Sequence, residues 1–292
     1  MEALEHIRQR LTTLAELQSL VRSMKALAAS SIHQYERAAY SLNGYYRTVE
    51  LGLHVVLREH APAVQLPAPQ GRFAAVVFGS DYGLCGRFNE DVADHALEQM
   101  EAIAPGRGDW RVLSVGARAA ALLERADRPV EEQLLVPGSA HAITGTVRRI
   151  LLRLEQWRRH EHVPHVHLFY NRHLSSTRHQ PLGIQLLPVT VHRFHRLEEE
   201  PWPSHVLPTY TMERDALFLA LLQQYFFVTL FRACAESLAS ENGSRLAAMQ
   251  MAEKNLEERH TDVLGEFRRR RQEAITGELL DLLSGFETAA ER

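Results

Sequence analysis

The sequence predicts an α + α/β protein, in which N- and C-terminal helices form a long antiparallel coiled coil around a central Rossmann-like α/β domain. Three observations predict it. Proline-free stretches with helical periodicity lie at opposite ends of the chain, over residues 4–60 and 212–283. Between them, short apolar runs alternate with helical stretches, the pattern of strands and crossover helices. Prolines punctuate both junctions, at Pro62, Pro67 and Pro69 and at Pro201, Pro203 and Pro208. The expected organisation is a first long helix over 1–60, a linker over 61–71, the α/β domain over 72–203, a second long helix over 209–285 and a polar tail over 286–292.

In the first helix, Leu4, Ile7, Leu11, Leu14, Val21 and Ala28 follow spacings of three and four, and Leu17, Leu20, Met24 and Leu27 form a second stripe beside them. Two stripes are broader than a zipper seam. A continuous helix of this length spans roughly 80 Å. In the α/β domain, strands are expected over 73–78, 110–115, 130–136, 163–170 and 182–191, the last one weakened at Pro188. Helices are expected over 89–103, 117–127 and 141–160, and the sheet is expected to be largely parallel. In the second long helix, Leu246, Met249, Leu256, Val263, Phe267 and Ala274 repeat the spacing, while Glu253, His260 and Arg270 interrupt the seam. That helix would span roughly 110 Å. Polar seams make a weak isolated pair, so other subunits are expected to surround it.

Composition narrows the function. With 45% hydrophobic and 24% charged residues the chain is globular. A formal net charge of −3 gives no basic footprint for nucleic acid. The N-terminus has acids in its first turns and no continuous apolar core, so no signal peptide is expected. The most apolar stretch, 216–231, is broken by Gln223 and Gln224 and reads as a helix buried in its own domain, so that any membrane association is indirect. The two cysteines, Cys85 and Cys234, are far apart and form no C-x-x-C pair, which fits a reducing compartment.

Three sites invite chemistry, and each has a plainer reading. The loop Gly79-Ser80-Asp81-Tyr82-Gly83-Leu84-Cys85-Gly86 follows a strand and precedes a helix, where phosphates bind. Its spacing matches neither G-x-G-x-x-G nor G-x-x-x-x-G-K-[ST], so no nucleotide cofactor is expected. Cys85 could be an activated thiol, but no base completes a catalytic set and a packed thiol is the plainer reading. His160, His162, His165 and His167 lack the partners of a metal site, so no metal is expected.

Three segments carry a resemblance. The first helix holds Ile7, Arg10-Leu11, Met24-Lys25 and Ala28-Ala29-Ser30. The glycine loop runs from Gly79 through Cys85-Gly86-Arg87-Phe88-Asn89. The second long helix holds Ser237-Leu238-Ala239-Ser240-Glu241, Arg245, Ala248-Met249, Ala252, Lys254-Asn255, Arg271-Gln272, Ala274-Ile275-Thr276, Glu278-Leu279 and Gly285. Together they resemble the gamma subunit family of F-type ATP synthases, with Tyr170-Asn171 and Leu186-Leu187-Pro188 as smaller echoes.

The resemblance implies a non-catalytic rotor. In that family the two long helices form a shaft inside a hexamer of alpha and beta subunits, and the α/β domain rests with epsilon on the c-subunit ring. The implied place is the cytoplasmic face of the cell membrane, with no membrane insertion of its own. It further implies subunit contacts at Met24, Lys25, Arg245, Arg271, Gln272, Thr276 and Glu278. Two departures stand in the loop: Tyr82 replaces a basic residue, and Arg87 replaces a glycine, a position that would be strained if positive φ were required. A coiled-coil adaptor that dimerises through its long helices, with no rotary role, is the alternative reading.

Overall fold

The computed structural model describes residues 2–59, 71–105, 109–175, 177–189 and 208–290. The proline-bearing stretches 61–70 and 190–207 and the side chains of 281–292, on which parts of the linker, the last expected strand and the polar tail fall, lie outside the described residues. The chain forms two compact units, residues 28–245 and residues 1–27 with 246–292.

The larger unit is built on a five-stranded sheet of order β3-β2-β1-β4-β5. Its elements are α2 (Asn43–Glu59), β1 (Phe73–Phe78), α3 (Phe88–Ile103), β2 (Trp110–Val115), α4 (Ala117–Arg125), β3 (Glu132–Leu134), a 3₁₀ turn (Ala140–Ala142), α5 (Ile143–His160), β4 (His165–Ser175) and β5 (Arg178–Leu187). It also holds residues 28–41 of α1 (Glu2–Ser41) and the first part of α6 (Arg214–Ala290). All six residues of β1 are buried, as a strand covered on both faces requires. Alternation sends Ala74, Val76 and Phe78 to one core with α5 and α6, and Phe73, Ala75 and Val77 to another with α3 and α4.

Several elements differ from the sequence expectation, each for a local reason. The sheet is mixed: β1 to β4 are mutually parallel, but β5 runs antiparallel to β4 and lies at the edge. It begins at Arg178, earlier than expected, and tolerates Pro181 because an edge strand can leave an N–H unpaired. It ends before a cis Leu187–Pro188 bond. The strand expected over 130–136 shrinks to Glu132–Leu134. The first long helix is interrupted at Leu42, where Ser41, Asn43 and Gly44 cluster; such residues compete poorly for helical backbone. The last helix starts at Arg214, where the Glu213 carboxylate accepts from the backbone N–H groups of Ala216 and Asp215 at 3.0 and 3.2 Å.

The most apolar stretch of α6 is long and apolar enough by composition to cross a membrane. Its Tyr225, Val228, Leu230 and Phe231 are nevertheless buried in the cores of the α/β unit.

In the smaller unit, residues 2–27 of α1 run antiparallel to residues 246–290 of α6: Lys25 meets Glu253, and Arg22 meets both Glu253 and Glu257. Ile7, Val21, Met249 and Val263 are buried between them. The second stripe of α1 faces outward, with Leu17 at 41%, Leu20 at 56% and Leu27 at 69% exposure.

His165 and His167 share the sheet face that carries Phe73, Trp110 and Phe169. Burial first, and then the neighbouring His165, lower the His167 pKa from 6.5 to about 4. The folded state therefore binds fewer protons than the unfolded chain below pH 6.5, so this contribution is present above 6.5 and is lost as the pH falls towards about 4. The variant His167→Phe is expected to lose less thermal stability between pH 7 and pH 4 than the parent. Melting temperatures of both proteins across that range check this.

Candidate functional site

The loop after β1 is the first place to look for a small-molecule site, because open α/β sheets bind ligands at the carboxyl ends of their strands. Here its polar groups are consumed internally. The Ser80 N–H donates to Asn89 Oδ1 at 2.9 Å, and Asn89 Nδ2 donates to Ser80 Oγ at 2.9 Å and towards Cys85 Sγ at 3.4 Å. Asp81 accepts from the backbone N–H groups of Ala117 at 3.2 Å and Val136 at 2.9 Å. It thus caps α4 from the loop of the neighbouring strand, since Gly116 at the N-cap has no side chain to do so. Cys85 is buried, and burial raises its thiol pKa, so it is a packed thiol rather than an activated one.

Helix α6 closes the same crevice. Ser237 Oγ reaches the Phe78 carbonyl at 3.5 Å, and Ser240 Oγ donates to the Asn171 carbonyl at 2.9 Å. Both acceptors lie on β1 and β4, the strands between which a nucleotide would enter. Among the described residues no group of histidines, cysteines and carboxylates is arranged to hold a metal ion.

Arg87 is unstrained, with φ −88°. The positive φ values in the loop fall on Leu84 at 62° and Gly86 at 58°. Arg87 instead pairs with Asp91 of α3 at 3.3 Å.

The residues with expected subunit contacts fall into three groups. Met24 and Lys25 are half-buried on α1, and Lys25 Nζ lies 2.5 Å from Glu253 Oε2. That hydrogen bond, aided by Arg22, holds the Glu253 carboxyl below its usual range. Arg271, Gln272, Thr276 and Glu278 are all exposed near the end of α6, next to the run Arg268-Arg269-Arg270. Arg245 stands apart: its guanidinium is largely buried and donates to Glu241 at 2.6 Å. Burial raises the Glu241 pKa and Arg245 opposes that rise, so Arg245 is first of all the counter-charge of a buried carboxylate. Sequence periodicity marks Glu253 only as a seam interruption; the contacts of His173 and His179 with helical carboxylates leave no local sequence signal.

In the smaller unit Leu17, Leu20, Leu27 and Met251 are exposed, and Ile275, Leu279 and Leu280 are exposed further along the helix that carries the arginine run. The chain thus combines paired helices that carry apolar and basic side chains outward with an α/β unit whose loop after β1 bonds its polar groups internally.

Comparison with known proteins makes the class specific. The family model described as ATP synthase matches residues 3–288. The chain is 25% identical to the ATP synthase gamma chain of Sorangium cellulosum, over all of both chains. It is 28% identical to that of Salinibacter ruber, over all of this chain and 99% of the relative. Its fold is similar to a chain of the Euglena gracilis mitochondrial ATP synthase rotor in rotational state 1, with TM-score 0.59, 15% identity, and coverage of 94% of this chain and 99% of that one. A chain of the OSCP/F1/c-ring assembly of the same organism gives TM-score 0.63 at 15% identity, covering 98% and 94%. The chain belongs to the ATP synthase gamma family.

Gly116 has φ 109°, and a Cβ there would lie 2.7 Å from the Ser80 nitrogen. Gly116→Ala is therefore expected to destabilise the protein by about 2–3 kcal/mol. Arg87→Gly, which relieves no strain and removes an ion pair, is expected to cost about 0.5–1 kcal/mol. Denaturant unfolding of the two variants separates these cases; a gain in stability from Arg87→Gly would contradict the geometry.

Proposed function

We propose that this chain is the rotating central stalk of an F-type ATP synthase. The carrying observation is the exposed apolar and arginine-rich surface of the paired helices, read together with membership of the gamma family. The paired helices work inside a hexamer of alpha and beta subunits, and the α/β unit engages epsilon and the c-subunit ring. The complex operates at the cytoplasmic face of the cell membrane. The chain catalyses no reaction itself.

Its mechanism is differential contact. Each angle of an asymmetric shaft presents a different set of side chains to each beta subunit, and a ligand shifts a conformational equilibrium only by its difference in affinity for the two states. Lys25, Arg271, Gln272, Thr276 and Glu278 are the candidate contacts, with Met24 beside Lys25 and Arg245 as an internal support. Arginine forks suit bidentate pairing with acidic loops. Those contacts must be moderate in strength, because a tight one arrests rotation. A coiled-coil adaptor could also use the outward stripe, but it leaves the match over residues 3–288 without a reason.

Changing Arg271 and Gln272 together to alanine is expected to lower ATP-driven ion pumping per ATP hydrolysed while the complex still assembles. Pumping equal to that of the parent would remove both residues from the contact set.

A further inference from the structure

Strand β4 is longer than its place in the sheet requires. It pairs with β1 only over residues 165–169, and beyond that it pairs with β5 alone. A two-stranded ribbon is marginal by itself, and this one is fastened to three helices. His173 and His179 stand directly opposite each other on its two strands. His173 Nε2 lies 2.9 Å from Glu36 Oε1 on α1. His179 Nε2 lies 3.1 Å from Asp91 Oδ2 on α3, and its Nδ1 lies 3.0 Å from Ser244 Oγ on α6.

Each carboxylate is also held from behind. His33 Nδ1 lies 3.3 Å from the other oxygen of Glu36, and Arg87 Nε lies 3.3 Å from the other oxygen of Asp91. Contacts at both oxygens narrow the rotamer choice of each carboxylate and so favour the geometry of the histidine contact. The adjacent Asn171 strengthens the same ribbon: its carbonyl accepts from Ser240 of α6, and its Nδ2 donates to the Phe88 carbonyl at 2.8 Å.

We propose that the β4–β5 ribbon is a torsional clamp, in which His173 and His179 are positioning residues that fix α1 and α6 to the α/β unit. The clamp grips α6 at Ser240 and Ser244, next to where that helix leaves this unit at 245/246, and α1 at Glu36, about two turns inside its boundary at 27/28. Hydrophobic burial holds the helices against the sheet but is non-directional. Directional hydrogen bonds resist rolling about the helix axis. Arg87 thus gains a role as the group that orients Asp91 for His179.

The proposal rests on the rotor reading, and one experiment separates the two. In complexes with the hexamer fixed to a surface and a probe on the α/β unit, the angular variance during pauses reports torsional stiffness. For the double variant His173→Ala/His179→Ala, the variance is expected to rise roughly twofold with ATP hydrolysis retained, because two charge-assisted contacts are gone. The variant His173→Gln/His179→Gln keeps an N–H donor at each site and is expected to restore the parent value. Unchanged variance in the alanine variant, or variance equally raised in both, overturns the clamp. Should the alanine variant not assemble, Ser244→Ala decides by the same reading. A parent complex that assembles but shows no rotation overturns the rotor reading instead.

Discussion

Residues 233–244 of α6 are buried without a break, although they read Ala-Cys-Ala-Glu-Ser-Leu-Ala-Ser-Glu-Asn-Gly-Ser. A helix enclosed on all sides is ordinarily apolar all round. This one is enclosed because many of its side chains are small and most of its polar groups find partners on the sheet or on its own turns, Glu236 Oε2 being an exception. Ser240 bonds β4, Ser237 reaches β1, Asn242 Nδ2 donates to the Leu238 carbonyl at 2.8 Å, and Glu241 pairs with Arg245. Buried polar groups are tolerated on that condition. The rest of the larger unit depends on this seating. It bonds β1 and β4 and completes the core made with α5. It also brings Ser244 to the ribbon of β4 and β5.

The smaller unit follows the opposite rule. Its two helix segments bury only part of their apolar surface against each other and leave Leu17, Leu20 and Leu27 outside. Its specific contacts are ionic, around Glu253. A pair of this kind gains little from its ion pairs alone, since exposed pairs contribute about 0–1 kcal/mol. Its outer apolar face is left open, which suits the proposed shaft: enough pairing to stay together and enough outward surface to be gripped differently at each angle.

Much of this was legible in the sequence, and what was not has physical causes. β1 and β2 were plain because fully buried strands read as continuous apolar runs. The glycine loop and the stretch from Ser237 to Glu241 stood out through their resemblance to the gamma family, not through any pattern that shows their packing. The strand β5 was legible in its second half, but its start was hidden, because an edge strand needs neither a continuous apolar run nor every N–H, and Pro181 disguised it. The break at Leu42 turned on a few poor helix formers in a long favourable stretch. Periodicity showed two stripes on α1 but not which one faced the partner helix. The fastening of His173 and His179 to Glu36, Asp91 and Ser244 left no trace in spacing, because it exists only once distant segments have been brought together.

The central claim is that the chain works as a single shaft within a catalytic hexamer, and native mass spectrometry with its cognate alpha and beta subunits tests it most directly, with ATPase activity measured on the same sample. The account predicts one copy per three alpha and three beta subunits, with hydrolysis that depends on its presence. A homodimer that ignores alpha and beta would contradict it and leave a coiled-coil adaptor in its place.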